Sequence, residues 1–217
     1  MSETGRADRP GAARRLGLYG GTFDPIHVGH LIAAAEVQAA LGLDRVLFLP
    51  AGQPPHKRGR EITPAAHRVR MIELAIAGRP GLGISDLDLD PGQPSYTVYL
   101  LTRAREAYGE GVEIFFVMGE DQLRDLPTWH QPARVAELAR LAVVTRPNVG
   151  ADLDEIARAV PAVAGRIHCV EIPQIDIASS DIRARVVAGR PIAYQVPRPV
   201  EDYIVAHQLY RVLSAES

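Results

Sequence analysis

Short runs of apolar residues alternate along this chain with longer stretches whose apolar residues recur at helical spacing. The runs of strand length are residues 16–19, 46–49, 84–89, 112–118, 141–145 and 167–172. Several are apolar at consecutive positions, which is typical of strands that are covered on both faces. The pattern therefore predicts six strands in a sheet that is covered on both faces.

The stretches between these runs have the character of helices. Helices are predicted over residues 27–41, 64–77, 96–108 and 153–160, and Gly42 is a suitable C-terminal cap for the first. Strand–helix alternation favours a parallel sheet. We therefore predict an α/β fold, a Rossmann-like, doubly wound parallel sheet with helices on both faces. It forms a single domain over residues 16–217, after a disordered tail at residues 1–15.

Composition narrows the classes of protein that fit this pattern. The 217 residues are 47% apolar, which is enough for a core and excludes a wholly disordered chain. Lysine and arginine (24) nearly balance aspartate and glutamate (26), so we expect no nonspecific nucleic-acid or membrane partner. No run approaches the roughly 20 apolar residues that cross a bilayer. The charged tail lacks the apolar central segment of a secretory signal peptide. The expected location is the cytoplasm.

The cysteine content excludes two further kinds of structure. Cys169 is the only cysteine, so neither an internal disulfide nor a cysteine-based zinc site can form. It lies within the apolar run at residues 167–172. We therefore predict a buried strand residue rather than a catalytic thiol.

The segment after the first strand, GGTFDPIHVGH at residues 20–30, carries the clearest chemical signal. Gly20 and Gly21 allow the backbone to turn tightly and to approach a ligand. The helix that opens near His27 offers free N–H groups to an anion. His27 and His30 are three residues apart and share one face of its first turn, and Gly29 leaves space between them. The segment predicts a site for a nucleotide phosphate.

Other interpretations of the histidine pair are weaker. A metal site would need an HExxH pattern or an acidic partner, and neither follows. A helix cap with a packed ring remains the alternative for any isolated HxxH. The chain has no GxxxxGK[ST] and no GxGxxG, which disfavours an ordinary kinase or a dinucleotide dehydrogenase.

The segment resembles the signature of the nucleotidyltransferase superfamily that has the (H/T)xGH motif. Further segments, in the same order, are similar to those of the bacterial nicotinate-nucleotide adenylyltransferases. They are PPHK at 54–57, SYT at 95–97, GED at 119–121, TWH at 128–130, SSDIR at 179–183 and YIVAHQLY at 203–210. This resemblance covers nearly all of the chain beyond the tail.

The resemblance implies a set of site residues. The catalytic residues would be His27, His30 and Arg183. ATP would be bound by Gly20, Gly21, Thr22, Phe23, Gly29, Gly119, Asp121, Ser179 and Ser180. Nicotinate mononucleotide would be bound by Lys57, Thr97, Val98, Trp129 and His130, with Trp129 stacked on the pyridine ring.

Several of these residues also have ordinary structural interpretations. Ser179 and Ser180 are good N-cap residues, Asp121 could cap a short helix, and Trp129 could belong to the core. The chain also departs from the family's usual pattern. Ala178 replaces a serine, Tyr99 replaces an aspartate, and residues 88–94 differ from the usual segment before SYT.

The resemblance implies adenylyl transfer from ATP to nicotinate mononucleotide, which gives nicotinate adenine dinucleotide and pyrophosphate in NAD biosynthesis. Mg²⁺ would accompany ATP, and no protein residue is expected to ligate a metal. The alternatives are a sibling enzyme, such as pantetheine-phosphate adenylyltransferase or a cytidylyltransferase, and a noncatalytic nucleotide-binding regulator. A class I aminoacyl-tRNA synthetase is disfavoured because the chain lacks a KMSKS loop. A homo-oligomer is left open.

Overall fold

The computed structural model describes residues 14–52, 62–89, 94–145 and 152–211. Within these ranges, six strands form one sheet in which every neighbouring pair is parallel. The strands are β1 (Arg15–Gly21), β2 (Arg45–Pro50), β3 (Leu82–Ile84), β4 (Glu113–Gly119), β5 (Arg140–Thr145) and β6 (Ile167–Glu171). Their order across the sheet is β3-β2-β1-β4-β5-β6. The predicted Rossmann-like, doubly wound α/β fold is confirmed.

Helices connect successive strands and follow the last one. In the described ranges they are α1 (Val28–Ala40), α2 (Ala65–Ile76), α3 (Thr97–Tyr108), α4 (Glu120–Asp125), α5 (Pro132–Leu138), α6 (Leu153–Ala159), α7 (Ser179–Val187) and α8 (Arg198–Ala206). Short 3-10 turns at Leu126–Thr128 and Pro161–Val163 lie among them. No helix in this part of the chain is both long and apolar enough to span a bilayer.

Two apolar clusters cover the two faces of the sheet. Leu47 and Leu49 of β2 face a cluster that includes residues of α3, α5 and α6. Val46 and Phe48, which alternate with them, face a second cluster built from α1, α2, α7 and α8. Because side chains alternate along a strand, this arrangement explains why the strands are apolar at consecutive positions.

The third strand differs from its predicted position. It was expected at residues 84–89 but is Leu82–Ile84. Gly83 hides this strand in the sequence because it adds no apolar side chain to the pattern. A Cβ at residue 83 would lie 2.8 Å from Leu47 Cδ2. The side chains of Leu47 and Arg45 pack against residue 83 and favour glycine there, and a glycine interrupts the apolar pattern.

Three smaller predictions also need correction. The first helix begins at Val28, with His27 as its N-cap. Cys169 lies in a strand but is exposed rather than buried. β6 is an edge strand of the described sheet, and Val170 is its one buried residue. Arg14 and Arg15 are not part of a tail, since both donate backbone N–H groups to Asp44 Oδ2. The expectation of disorder for residues 1–13 lies outside the described residues.

Candidate active site

The candidate site lies at the centre of the sheet, where strand order reverses. β1 and β4 are neighbours there, and the helices that follow them, α1 after β1 and α4–α5 after β4, belong to opposite faces. In open α/β sheets, ligands bind in the crevice beyond the carboxyl ends of the two strands at this point. Gly20 and Gly21 end β1, and Gly119 ends β4. The topology therefore brings three predicted ATP-binding residues to one edge.

His27 and His30 form a stacked pair at the start of α1. Their ring centroids are 3.6 Å apart, with 25° between the planes. The His27 backbone N–H donates to His30 Nδ1 at 3.2 Å, and the His30 ring lies edge-on to Phe23 at 5.0 Å. The pair is thus held in one geometry before any ligand is present.

Gly29 lies close against the ring of His27. A Cβ at residue 29 would lie 3.1 Å from His27 Nδ1 and 3.2 Å from its Cε1, which is too close for most real contacts. His27 is only 7% exposed, and among the described residues its Nδ1 is the buried side-chain nitrogen or oxygen that has no hydrogen-bond partner. A buried polar atom without a partner is costly. A ligand at the start of α1 would supply one.

Burial keeps both histidines uncharged in the free protein. It lowers the pKa of His27 to about 4. The pKa of His30 lies well below its ordinary value, mainly because the ring is buried and also because His27 is adjacent. A bound polyanion would favour the charged forms and oppose both effects.

The low pKa of His27 predicts a specific pH dependence of stability. Its folded pKa of about 4 is below the unfolded value near 6.5, so the unfolded state binds more protons and stability falls as pH drops from about 6.5 to 4. Between pH 7 and pH 5 we expect His27 to account for about 2 kcal/mol of lost unfolding free energy. Urea unfolding of the wild type and His27→Asn at both pH values measures this difference.

Asparagine is suited to this test because it is itself a good N-cap residue. The exposed His207 supplies the matched control, and His207→Asn should retain the pH dependence of the wild type. An unchanged pH dependence in His27→Asn would contradict the assignment of a buried, neutral imidazole at residue 27.

Helix α7 faces the loop that precedes the histidines. The Ser179 hydroxyl donates to the Pro25 carbonyl at 2.9 Å, and Arg183 Nη1 donates to the Asp24 carbonyl at 2.6 Å. Ser179 and Ser180 were expected to be N-cap residues, but neither is. Ala178 takes that position, and both serines lie in the first turn of α7. The hydrogen bond from Arg183 therefore joins α7 to the loop that leads to His27 and His30.

Gly119 ends β4, and Asp121 lies in the first turn of α4 that follows it. The Gly119 N–H donates to Gln122 Oε1 at 3.0 Å, which closes the first turn of α4. Asp121 is not the N-cap, since Gly119 occupies that position. Its side chain is 95% exposed and is joined to Arg124 at 3.3 Å. The Asp121 carboxylate is accessible to a ribose hydroxyl.

The residues predicted to bind the mononucleotide meet around the start of α3. The His130 ring lies 4.8 Å from that of Tyr96, and its Nε2 is 3.1 Å from the Tyr99 hydroxyl. Tyr96 is the N-cap of α3, so Thr97 and Val98 open the helix. The Tyr96 carbonyl accepts from Tyr99 and Leu100, and the first helical N–H groups, of Thr97 and Val98, lack an intrahelical acceptor.

Trp129 borders this same region. Its indole is half-buried against one apolar cluster and meets Phe116 edge-on at 6.2 Å. Its backbone N–H is bonded to the Leu126 carbonyl. The tryptophan is therefore partly a core residue, as the structural interpretation held, while the rest of the ring remains open to a ligand.

Of the other predicted residues, Phe23 can act only through its backbone, and the carbonyl of Thr22 is already engaged. Phe23 is buried among Tyr19, Phe48 and His30. The Thr22 carbonyl accepts from Arg68. Lys57 lies outside the described residues.

Sequence reasoning missed a buried polar network below the β1–α1 loop, formed by Asp24, Arg68 and Tyr210. Tyr210 donates to Asp24 Oδ1 at 2.7 Å, and Arg68 Nη1 donates to the Thr22 carbonyl at 2.9 Å. One signal was available. Arg68 shares the helical spacing of the buried Met71 and Ile72, which marks an arginine on an apolar face.

Sequence reasoning also missed an ion pair on the side of the site that is predicted to bind nicotinate. Asp88, in the segment that departs from the usual family pattern, is buried and lies 3.1 Å from Arg103 of α3. Arg103 also donates to the Leu87 carbonyl at 2.7 Å. Burial raises the pKa of Asp88 to about 6, although Arg103 and Ser95 oppose the shift. The two contacts of Arg103 thus hold the described part of this segment against α3.

Comparisons with known proteins agree with this geometry. Residues 18–185 match the family model described as Cytidylyltransferase-like. The chain is 56% identical over 201 residues to the "Probable nicotinate-nucleotide adenylyltransferase" of Thermomicrobium roseum, covering 93% of this chain and 94% of that one. The chain belongs to the nicotinate-nucleotide adenylyltransferase family. The protein of the same name from Roseiflexus sp. is 46% identical over 197 residues, with 90% and 98% covered.

Solved structures show the same fold. The "Plasmodium falciparum nicotinic acid mononucleotide adenylyltransferase complexed with NaAD" superposes with a TM-score of 0.74 at 19% identity, covering 91% of this chain and 97% of that one. A complex of the same protein with APC gives 0.73. The family inferred from the ordered motifs is confirmed, and so is its Rossmann-like fold.

Proposed function

We propose that this protein transfers the adenylyl group of ATP to nicotinate mononucleotide, giving nicotinate adenine dinucleotide and pyrophosphate. The names of its relatives support this activity, as does the His27–Gly29–His30 arrangement. The observation that carries the proposal is His27 Nδ1, a buried atom that lacks a partner at the start of α1. It lies where the first N–H groups of a helix favour an anion.

In the proposed reaction, the mononucleotide phosphate attacks the α-phosphorus of ATP in line. The nucleophile is already an anion, so no general base is needed, and the protein must mainly align two polyanions and stabilise developing charge. His27 and His30 would donate to phosphate oxygens from the start of α1. Arg183 and the first turn of α7 would face the same phosphates, and Lys57 would assist from the mononucleotide side.

We include Mg²⁺ in the proposal as a companion of ATP. The described residues contain no group of three histidine, cysteine or acidic side chains that could hold a metal. The buried Asp24 carboxylate is already bonded to Tyr210 and Thr63. The residues present therefore fit an ion that is bound through substrate phosphates rather than in a protein cage. Such an ion would neutralise charge on those oxygens.

A pyrophosphate-release assay with ATP tests the proposal. Nicotinate mononucleotide, nicotinamide mononucleotide and phosphopantetheine are offered as separate acceptors, and the dinucleotide product is identified by mass. Release with phosphopantetheine alone would favour the sibling enzyme. ATP binding without release would favour a noncatalytic regulator. The cytoplasmic location stays a prediction.

The arrangement at the start of α3 predicts a preference for the acid over the amide. The nicotinate carboxylate can accept from two backbone N–H groups, near Val98 and His130, in charge-assisted hydrogen bonds. The amide offers one carbonyl acceptor, and its NH₂ would leave one buried donor unpaired, at a cost of about 1–3 kcal/mol. We expect kcat/KM to be at least about tenfold higher for nicotinate mononucleotide.

Steady-state kinetics with both mononucleotides at saturating ATP measures this ratio. The ATP KM measured with either acceptor is the internal control, because the amide changes nothing at the ATP end. Equal kcat/KM values for the two acceptors would show that no carboxylate site forms at residues 97–98 and 130.

A further inference from the structure

The backbone between β1 and α1 is held by three side chains from two distant helices, α2 and α7. Arg68 of α2 donates to the Thr22 carbonyl at 2.9 Å. Arg183 of α7 donates to the Asp24 carbonyl, and Ser179 of α7 donates to the Pro25 carbonyl. Three carbonyl oxygens that would repel a polyanion are thereby engaged by donors, two of them cationic.

Arg68 differs from the other two donors because it cannot reach a ligand. Its side chain is 1% exposed, whereas Arg183 and Ser179 are only partly buried. Leaving a guanidinium in the interior is costly unless it is well hydrogen-bonded and near an opposite charge. Arg68 meets both conditions, because Nε donates to the Thr63 carbonyl at 2.8 Å and the Asp24 carboxylate lies nearby.

The contacts of Arg68 form part of a closed ring. Thr63 accepts from Arg68 through its carbonyl and donates its N–H to Asp24 Oδ2 at 3.2 Å. Asp24 is two residues from Thr22, whose carbonyl accepts from Arg68. The ring therefore fixes both ends of the Thr22–Asp24 segment relative to α2.

Tyr210 completes the support from the C-terminal end of the described chain. Its hydroxyl donates to Asp24 Oδ1 at 2.7 Å, and with Thr63 it occupies both oxygens of this 4% exposed carboxylate. Asp24 is followed, three residues later, by His27. The histidine pair thus follows a carboxylate whose two oxygens are already engaged within the protein.

We propose that Arg68, acting through Asp24 and with Tyr210, is a positioning residue for adenylyl transfer. It holds the Thr22–Pro25 backbone so that His27 and His30 meet the phosphates of ATP. This inference rests on the proposed function, and it assigns a role in the reaction to residues outside the predicted site. A purely structural role would affect stability without a specific effect on ATP.

The chain offers a matched control for each substitution. Arg105 also binds two backbone carbonyls, donating to Leu138 through Nε and to Val112 through Nη1, but these precede β5 and β4 at the opposite edge of the sheet. Tyr203 donates or accepts through its hydroxyl with His67 Nδ1 at 2.9 Å. The two pairs are Arg68→Lys with Arg105→Lys, and Tyr210→Phe with Tyr203→Phe.

All four variants and the wild type are measured at a temperature well below each melting midpoint. Because a displacement of about 1 Å far from the chemistry can cost 10²-fold, we expect Arg68→Lys to lower kcat by about tenfold or more and to raise the KM for ATP. Tyr210→Phe, which keeps the ring, should give a smaller loss of roughly threefold. Both controls should keep the wild-type kcat and KM, whatever their change in melting midpoint.

ATP affinity measured by titration calorimetry separates this proposal from the proposed function. A wild type that binds ATP without turnover would refute adenylyl transfer, and weaker ATP binding in Arg68→Lys than in Arg105→Lys would still support positioning. Wild-type kinetics and ATP affinity in a folded Arg68→Lys would overturn it. So would equal losses in Arg105→Lys, which would show a general effect of stability. If Arg68→Lys does not fold, the Tyr210→Phe and Tyr203→Phe pair decides by the same comparison.

Discussion

Replacing His30 by alanine is expected to lower kcat by about 10²–10³-fold, the usual effect of removing one preorganised donor from a site where charge develops. His30 lies in the first turns of α1 and stacks on His27 at 3.6 Å. Its Nδ1 accepts from the His27 N–H, so the ring is oriented before substrate binds. The measurement is kcat with ATP and nicotinate mononucleotide, together with the melting midpoint of each variant.

His168 provides a matched control for this substitution. It also packs edge-on against an aromatic ring, that of Phe115 at 5.5 Å, but it lies near the start of β6, away from the carboxyl edge of the sheet. His168→Ala should therefore retain wild-type kcat. A folded His30→Ala with wild-type turnover would contradict a catalytic role, and a grossly unfolded one would support the alternative of a packed histidine.

The architecture was predictable because its causes are local and repeated. Consecutive apolar residues such as 46–49 indicated a strand buried on both faces, and the two clusters of the structure confirm that cause. The third strand escaped the pattern because Gly83 has no side chain to contribute to it. The Leu47 side chain packs where a Cβ at residue 83 would lie, and such packing is a tertiary property.

The candidate site was predictable only as far as its residues are close in sequence. His27, Gly29 and His30 act within one helical turn, so their relation could be inferred from spacing. The reason for Gly29 could be inferred only in part: a Cβ at residue 29 would lie 3.1 Å from the His27 ring. That close contact depends on rotamers that the sequence does not specify.

The network around Asp24 could not be predicted from spacing. Tyr210 lies 186 residues from Asp24 in the sequence and reaches its carboxylate at 2.7 Å. Nothing in the local pattern around either residue indicates that contact. A buried arginine on the apolar face of α2 was the one local signal, but it does not identify the partners of the guanidinium.

The second large effect is expected at Trp129, where alanine should weaken nicotinate mononucleotide about ten- to a hundredfold and ATP much less. Stacking of a base on an aromatic side chain contributes roughly 1–3 kcal/mol. The indole meets Phe116 at 6.2 Å on one side, beside His130 and the start of α3. Titration of each ligand separately against wild type and Trp129→Ala measures the two affinities.

Trp129 also belongs partly to the core, so the variant loses packing as well as any stacking, and the control must reproduce that loss. Tyr108, at the C-terminal end of α3, packs against the same apolar cluster. Tyr108→Ala should lower the melting midpoint while leaving both affinities near wild type. Equal losses for the two ligands in Trp129→Ala would mean that the indole supports the sheet without binding the pyridine ring. A selective loss for the mononucleotide, absent from Tyr108→Ala, would identify its exposed part as the stacking surface.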